Sequence, residues 1–370
     1  MELISEDHPL LIFVGSGGVG KTTLAAATGV LSARAGRDTL VMTFDPSLRL
    51  KQALGVGEEA REHEVPVDLD RFGPAGAGGG GRLDASLLDA KRTFDRLIER
   101  YAPDPESRRR ILGNRFYNQL SGTLGGILEY MAVERLFEVV ADGRYAQVVL
   151  DTPPTRQALD FLEAPARIVS FLDSGALKMG LKPWFDEEGR LKAAKGWGGF
   201  GRRAERFLDD VVGLDLLRDM AEFFQAFAPL YAGFHERAEA VEALLRSPRT
   251  RFVLVSGPGE ERIPDTLFFA RRLKAAGYHL GPIVVNRVHP PLASSGPDGA
   301  PALDPAAPWQ VDGRKLLAWL GERDRRGLAE LAGLLSEQPL VSLPLLPEEP
   351  TDLPALARLG EDLAGRLQGQ

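Results

Sequence analysis

Short apolar runs bounded by turn residues recur along the chain at positions 10–14, 39–44, 146–150, 252–255, 283–285 and 340–343. They are rich in Val, Ile, Leu and Phe and barely alternate with polar residues, the pattern of strands covered on both faces within a parallel sheet. Apolar positions spaced at threes and fours predict helices between and beyond them, over 22–35, 89–101, 124–140, 261–276, 313–335 and 353–367. Strands alternating with helices predict an α/β fold, a doubly wound and mostly parallel sheet assembled from the two ends of the chain.

From about Ala158 to Leu245 the strand pattern disappears, and a long helical pattern runs from Arg202 to Arg246, with Phe207, Val211, Leu214, Leu217, Phe224 and Phe227 in register. This predicts three segments: residues 1–157 and 247–370 build one sheet domain, and 158–246 form an all-helical subdomain inserted into it. Two low-complexity breaks, the Gly-rich 73–81 and the Pro-rich 290–308, read as surface loops. There is no internal repeat.

Composition narrows the chemistry. The 370 residues are 44% hydrophobic and 26% charged, as in an ordinary globular protein. A net charge of −7 argues against nucleic acid as a partner gripped along the whole chain. No run approaches the ~20 apolar residues of an integral membrane span. The acidic start, with Glu2, Glu6 and Asp7, is unlike a signal peptide, so a cytoplasmic protein is expected. The absence of cysteine removes disulfides, thiolate metal sites and thiol catalysis.

The strongest chemical signal follows the first apolar run. Gly15-Ser16-Gly17-Gly18-Val19-Gly20-Lys21-Thr22-Thr23 has the spacing G-x-x-x-x-G-K-[ST] between a predicted strand and a predicted helix. Glycines let backbone N–H groups close around phosphates, and the helix N-terminus adds partial positive charge. Lys21 can then reach the β- and γ-phosphates, and the Thr22 hydroxyl can ligate Mg²⁺. Two carboxylates fit the same site. Asp45, just past the second run, can orient an attacking water, or instead cap the turn before Pro46. Asp151, at the end of the third, can support Mg²⁺ directly or through water, or instead cap a helix. The turn-rich Thr152-Pro153-Pro154-Thr155-Arg156 that follows suits a γ-phosphate sensor.

Together G-S-G-G-V-G-K-T-T, F-D-P-S-L-R-L (44–50) and V-V-L-D-T-P-P-T-R-Q-A-L-D-F-L (148–162) resemble the arsenical pump-driving, or ArsA-like, ATPases, a family related to the targeting ATPase of tail-anchored membrane proteins. Similarity continues through L-D-A-K-R-T-F-D (88–95), G-G-I-L-E-Y-M-A-V-E (125–134), V-V-N-R-V (284–288) and L-P-L-L-P-E-E-P (343–350), looking most like a bacterial single-domain branch. The resemblance implies a P-loop NTPase topology of the deviant class and an ATP- and Mg²⁺-dependent hydrolytic switch. It further implies a dimer with itself or with a paralogous ATPase subunit, facing across the nucleotides. By position it makes Asp45 the water-activating carboxylate and Asp151 the second switch carboxylate. It makes Asn286 and the loop containing Pro344 and Leu345 the adenine contacts. Independently, Asn286-Arg287-Val288-His289 lacks the Asp that would pair with guanine, although Asn286 is also a common strand-end turn residue.

Two departures from that family, and one feature placed like that of its relatives, bear on function. Ser16 stands where most relatives carry a second lysine that reaches the partner's nucleotide, so hydrolysis is slow or another cation, Arg49 or Arg156, substitutes. Both arginines are equally consistent with solvated surface charge. Without cysteine, neither metalloid binding through thiolates nor a zinc clasp is available. The insert carries Phe171, Trp184, Phe185, Trp197, Phe200, Phe223, Phe227 and Tyr231 where targeting relatives hold a hydrophobic protein client; ordinary core is the alternative.

Overall fold

The computed structural model describes residues 3–44, 51, 53–61, 63–69, 80–123, 127–153, 155–173, 219, 222, 223, 225–291 and 313–369. In chain order the strands are β1 (Leu10–Gly15), β2 (Thr39–Thr43), β3 (Val65–Pro66), β4 (Leu83–Leu87), β5 (Gln147–Asp151), β6 (Thr250–Ser256), β7 (Leu280–Val288) and β8 (Leu340–Pro344). The described helices are α1 (Lys21–Arg34), α2 (Ala90–Tyr101), α3 (Pro105–Gly113), α4 (Arg115–Thr123), α5 (Ile127–Asp142), α6 (Thr155–Asp173), α7 (Tyr231–Arg246), α8 (Ile263–Ala275), α9 (Gly313–Leu334) and α10 (Leu353–Gln368).

The chain divides into two compact units. One comprises residues 1–88, 139–158 and 246–370. Its eight strands run in the order β3-β4-β2-β5-β1-β6-β7-β8. Every neighbouring pair is parallel except β3 with β4. This is the α/β architecture of P-loop NTPases. The inner strands are buried along their length, which explains their unbroken apolar sequence: each faces side chains above and below the sheet. Helix α1 packs against β1, β2 and β5 and against α10. Covered on both sides, it buries Leu24 to Val30 without interruption, so its sequence is Ala-rich rather than one-faced.

Strand β4 does not fit the apolar-run pattern because Asp84 and Ser86 interrupt it, yet both are buried. One oxygen of Asp84 is held there: its Oδ2 accepts from the Tyr145 hydroxyl at 2.6 Å and pairs with Arg82 at 3.2 Å.

The second unit comprises residues 89–138 and 159–245, and its described elements are helical. It therefore takes in 89–138, which the sequence pattern assigns to the sheet domain, as well as most of the expected insert. Asp89 caps α2 by accepting from Arg92 N at 3.0 Å, and the amphipathic face of that helix buries Phe94, Leu97 and Ile98. Around Phe94 lie Tyr117, Phe223, Phe227 and Phe234, with ring centroids 5.0 to 6.4 Å apart in edge-on and stacked pairs. Phe223 and Phe227 thus belong to core rather than to an open groove, being 3% and 8% exposed. The side chains of Phe171, Trp184, Phe185, Trp197, Phe200 and Tyr231 lie outside the described residues. The continuous helix expected over 202–246 is interrupted by a 3₁₀ turn at Ala228–Leu230 that contains Pro229, which lacks a backbone donor. Its part before residue 219 also lies outside the described residues.

Candidate nucleotide-binding site

The site grows from the carboxyl end of β1, which lies between β5 and β6 at the middle of the sheet. Crevices beyond the carboxyl ends of parallel strands are where open α/β sheets bind ligands. After Gly15 the chain turns through Ser16–Gly20 and enters α1 at Lys21. Gly20 caps that helix with φ 92°, in the left-handed region, and a Cβ there would lie 2.5 Å from Asn286 Nδ2. Only glycine meets both demands.

Lys21 is buried, and its Nζ donates to the carbonyl of Ser16 at 3.0 Å, so the ammonium is folded back across the loop it terminates. Thr22 Oγ1 donates to Asp151 Oδ2 at 2.6 Å, and Thr43 Oγ1 donates to the same oxygen at 2.9 Å. Three adjacent strands therefore converge on one buried carboxylate: Thr22 follows β1, Thr43 ends β2, and Asp151 ends β5. Neighbouring Thr152 is anchored to β1, its hydroxyl donating to Phe13 O at 2.8 Å. The pair Thr22 and Asp151 offers hard oxygen donors in close proximity. That suits Mg²⁺, which takes one or two protein oxygens and completes its shell with water and phosphate.

On the other side of β1, β7 supplies a second group. Asn286 is buried, and its Nδ2 donates to Val19 O at 2.9 Å. Arg287 donates from Nη1 to Gly18 O at 2.9 Å. The strand continues into the final loop through Leu345 N donating to Val288 O at 2.8 Å.

These pieces enclose a cavity of about 380 Å³, within the ~300–1,000 Å³ usual for small-molecule sites. Thr22, Thr23 and Gly20 line its phosphate-loop side, Asn286 and Arg287 one wall, and Pro344, Leu345, Glu349 and Thr351 another. Of the sequence-derived candidates, Gly20, Thr22, Thr23, Asn286, Pro344 and Leu345 thus border one space, and Asp151 and Lys21 bond to the loop or helix beside it. Asp45 and Arg49, and the side chain of Arg156, lie outside the described residues. Thr43 and Arg287 were not among the candidates. Thr43 is a buried hydroxyl in an apolar strand with no signature of its own. Arg287 stands directly after Asn286, and that adjacency was the available signal.

Among the described residues no helix is long and apolar enough to cross a membrane, and no cluster of three or more His, Asp or Glu forms a metal cage.

The sequence pattern of the anion-transporting ATPase family matches residues 8–187, which contain the phosphate loop and Asp151. A putative arsenical pump-driving ATPase of Aquifex aeolicus is 24% identical over 96% of this chain and 78% of its own length. The arsenical pump-driving ATPase of Escherichia coli is 24% identical over the whole of this chain and 56% of its own. A Mycobacterium tuberculosis protein, Rv2184c, is 35% identical over 42% of this chain and 37% of its own. The chain therefore spans less than two thirds of two of these three relatives. With an eight-stranded P-loop sheet and a phosphate loop built as described, the chain is similar to the ArsA-like ATPases, whose sequence pattern it carries over residues 8–187.

Proposed function

We propose that this chain binds Mg-ATP at the phosphate loop and hydrolyses it. The observation that carries the proposal is the convergence of Thr22 and Asp151 at 2.6 Å beside a cavity whose far wall is Asn286, Pro344 and Leu345. Loop N–H groups and Lys21 would hold the phosphates, releasing Lys21 from the Ser16 carbonyl. Thr22 and Asp151 would hold Mg²⁺, which supplies charge neutralisation of the phosphates when bound. One N–H of the Asn286 amide is held by Val19 O, and its carbonyl oxygen would accept from the adenine amino group. Asp45 would orient the attacking water.

The finer parts of this reading are a second ATPase subunit facing the first across the nucleotide, identical or paralogous, and a helical unit that binds or releases a hydrophobic protein client as the nucleotide changes. A compact dimer in sedimentation with a non-hydrolysable ATP analogue and Mg²⁺ is expected; a species unchanged by nucleotide would count against the paired arrangement.

A second reading, a nucleotide-loaded scaffold with negligible turnover, rests on Ser16, which carries no charge to offer a neighbouring nucleotide. Phosphate release by the pure chain separates the two. Under the first reading Asp45→Asn keeps Mg-ATP affinity and loses turnover by ~10²–10⁴-fold, the usual worth of a general base. Turnover within a few-fold of the unaltered chain would make Asp45 structural, and no turnover in either protein would favour the scaffold.

A further inference from the structure

Successive side chains of a strand point to opposite faces, yet Asn286 and Arg287 both reach the phosphate loop and take consecutive carbonyls. Asn286 donates to Val19 O and Arg287 to Gly18 O, each at 2.9 Å. The backbone shows how. The register of β7 against β8 shifts between Val285 and Val288, and Arg287 has φ 65°. Among the described residues it alone, apart from glycines, has positive φ. A local irregularity of this kind re-aims a side chain beside a site, and a left-handed backbone is uncommon for a long side chain.

Arg287 also reaches outward. Its Nη2 donates to Glu349 Oε1 at 2.9 Å, on the loop that walls the cavity. The two side chains are 37% and 63% exposed, and an ion pair this open to water contributes little to folding. The left-handed backbone, by contrast, costs stability, and such strain persists chiefly at ligand clamps and switch regions. Stability of the fold therefore does not account for an arginine at this position; glycine would serve it better.

We infer that Arg287 is a positioning residue for the nucleotide, tying the phosphate loop to the wall of the base cavity. The inference rests on the ATP-binding reading. In a trans peptide the carbonyl and the following N–H point in opposite directions. Holding Gly18 O and Val19 O from the β7 side therefore turns the N–H groups of Val19 and Gly20 the other way, fixing two donors of the phosphate cradle before ligand arrives. Through Glu349 the same guanidinium links that cradle to the loop carrying Pro344 and Leu345. Phosphate end and base end are then set by one side chain.

The test uses the full chain with Arg287→Gly, Arg287→Lys and Glu349→Gln, measuring Mg-ATP affinity by calorimetry, KM and kcat by phosphate release, and the thermal midpoint. Arg287→Gly is expected to melt at or above the unaltered chain, because glycine relieves the left-handed backbone, while binding Mg-ATP about tenfold more weakly with KM rising more than kcat falls. Arg287→Lys should recover part of the loss, since an ammonium can keep the carbonyl but cannot fork to both partners. Glu349→Gln should show a smaller loss, about threefold. An Arg287→Gly protein that binds as tightly as the unaltered chain, or whose affinity falls only in step with its melting temperature, overturns the inference. An unaltered chain that binds no Mg-ATP overturns the ATP reading itself, and this inference with it.

Discussion

Glu134, on α5 in the second unit, is a carboxylate with no exposed surface. Its Oε2 accepts from the Tyr130 hydroxyl at 2.9 Å, and its Oε1 accepts from Arg237, which also donates to the Tyr101 hydroxyl at 2.6 Å. Burial pushes its pKa above the usual carboxylate value, outweighing the opposing pull of Arg237. The native state then binds a proton that the unfolded state has already released, so this group's contribution falls as pH rises above about 4.5. Chemical denaturation at pH 5 and pH 7 should find the unaltered chain losing stability relative to Glu134→Gln as pH rises; a relative gain would contradict an upward shift. Individual residues of this kind were unequally legible in the sequence. Lys21 and Thr22 follow from the spacing of one short motif, because phosphate geometry dictates it. Thr43 and Arg237 act through partners 108 and 103 positions away, and no local pattern records such a pairing.

At the scale of elements, the buried parallel strands and the long helices were readable because burial on both faces, or on one stripe, leaves a period in the sequence. Strand β4 broke that rule: its two polar residues are buried rather than turned to water, and Asp84 is held there by Tyr145 and Arg82. Helices α3 and α4 were missed for a different reason. Each is nine residues long, too short for its apolar spacing to stand out. The packing of α1 on α10 shows what the sequence pattern leaves out. Gly360 on α10 lies where a Cβ would stand 2.7 Å from Ala27 O and 3.1 Å from Leu31 Cβ. Alanine would gain about 1 kcal/mol in helix propensity, but pressing into unyielding backbone typically costs about 1–3 kcal/mol. Gly360→Val, with more bulk and less propensity, should therefore destabilise by more than Gly360→Ala in denaturant unfolding. Two variants as stable as the unaltered chain would mean that the helices part without cost.

For the whole molecule, the sheet unit could be anticipated from the two ends of the chain, and the phosphate-loop motif pointed to the candidate site at the end of β1. The extent of the helical unit was not as accessible. Residues 89–138 carry ordinary helical periodicity that does not say which core they join, and contact with Phe223, Phe227 and Phe234 is what assigns them. The central claim is that Mg-ATP binds through the phosphate loop at the end of β1. Calorimetric titration of Mg-ATP into the unaltered chain and into Lys21→Ala tests it most directly. Saturable one-site binding by the first, and a loss of at least tenfold in the second, is the predicted result, since a hydrogen bond from a charged donor is worth about 1.5–3 kcal/mol. Equal affinity in the two proteins, or no binding in either, would contradict it.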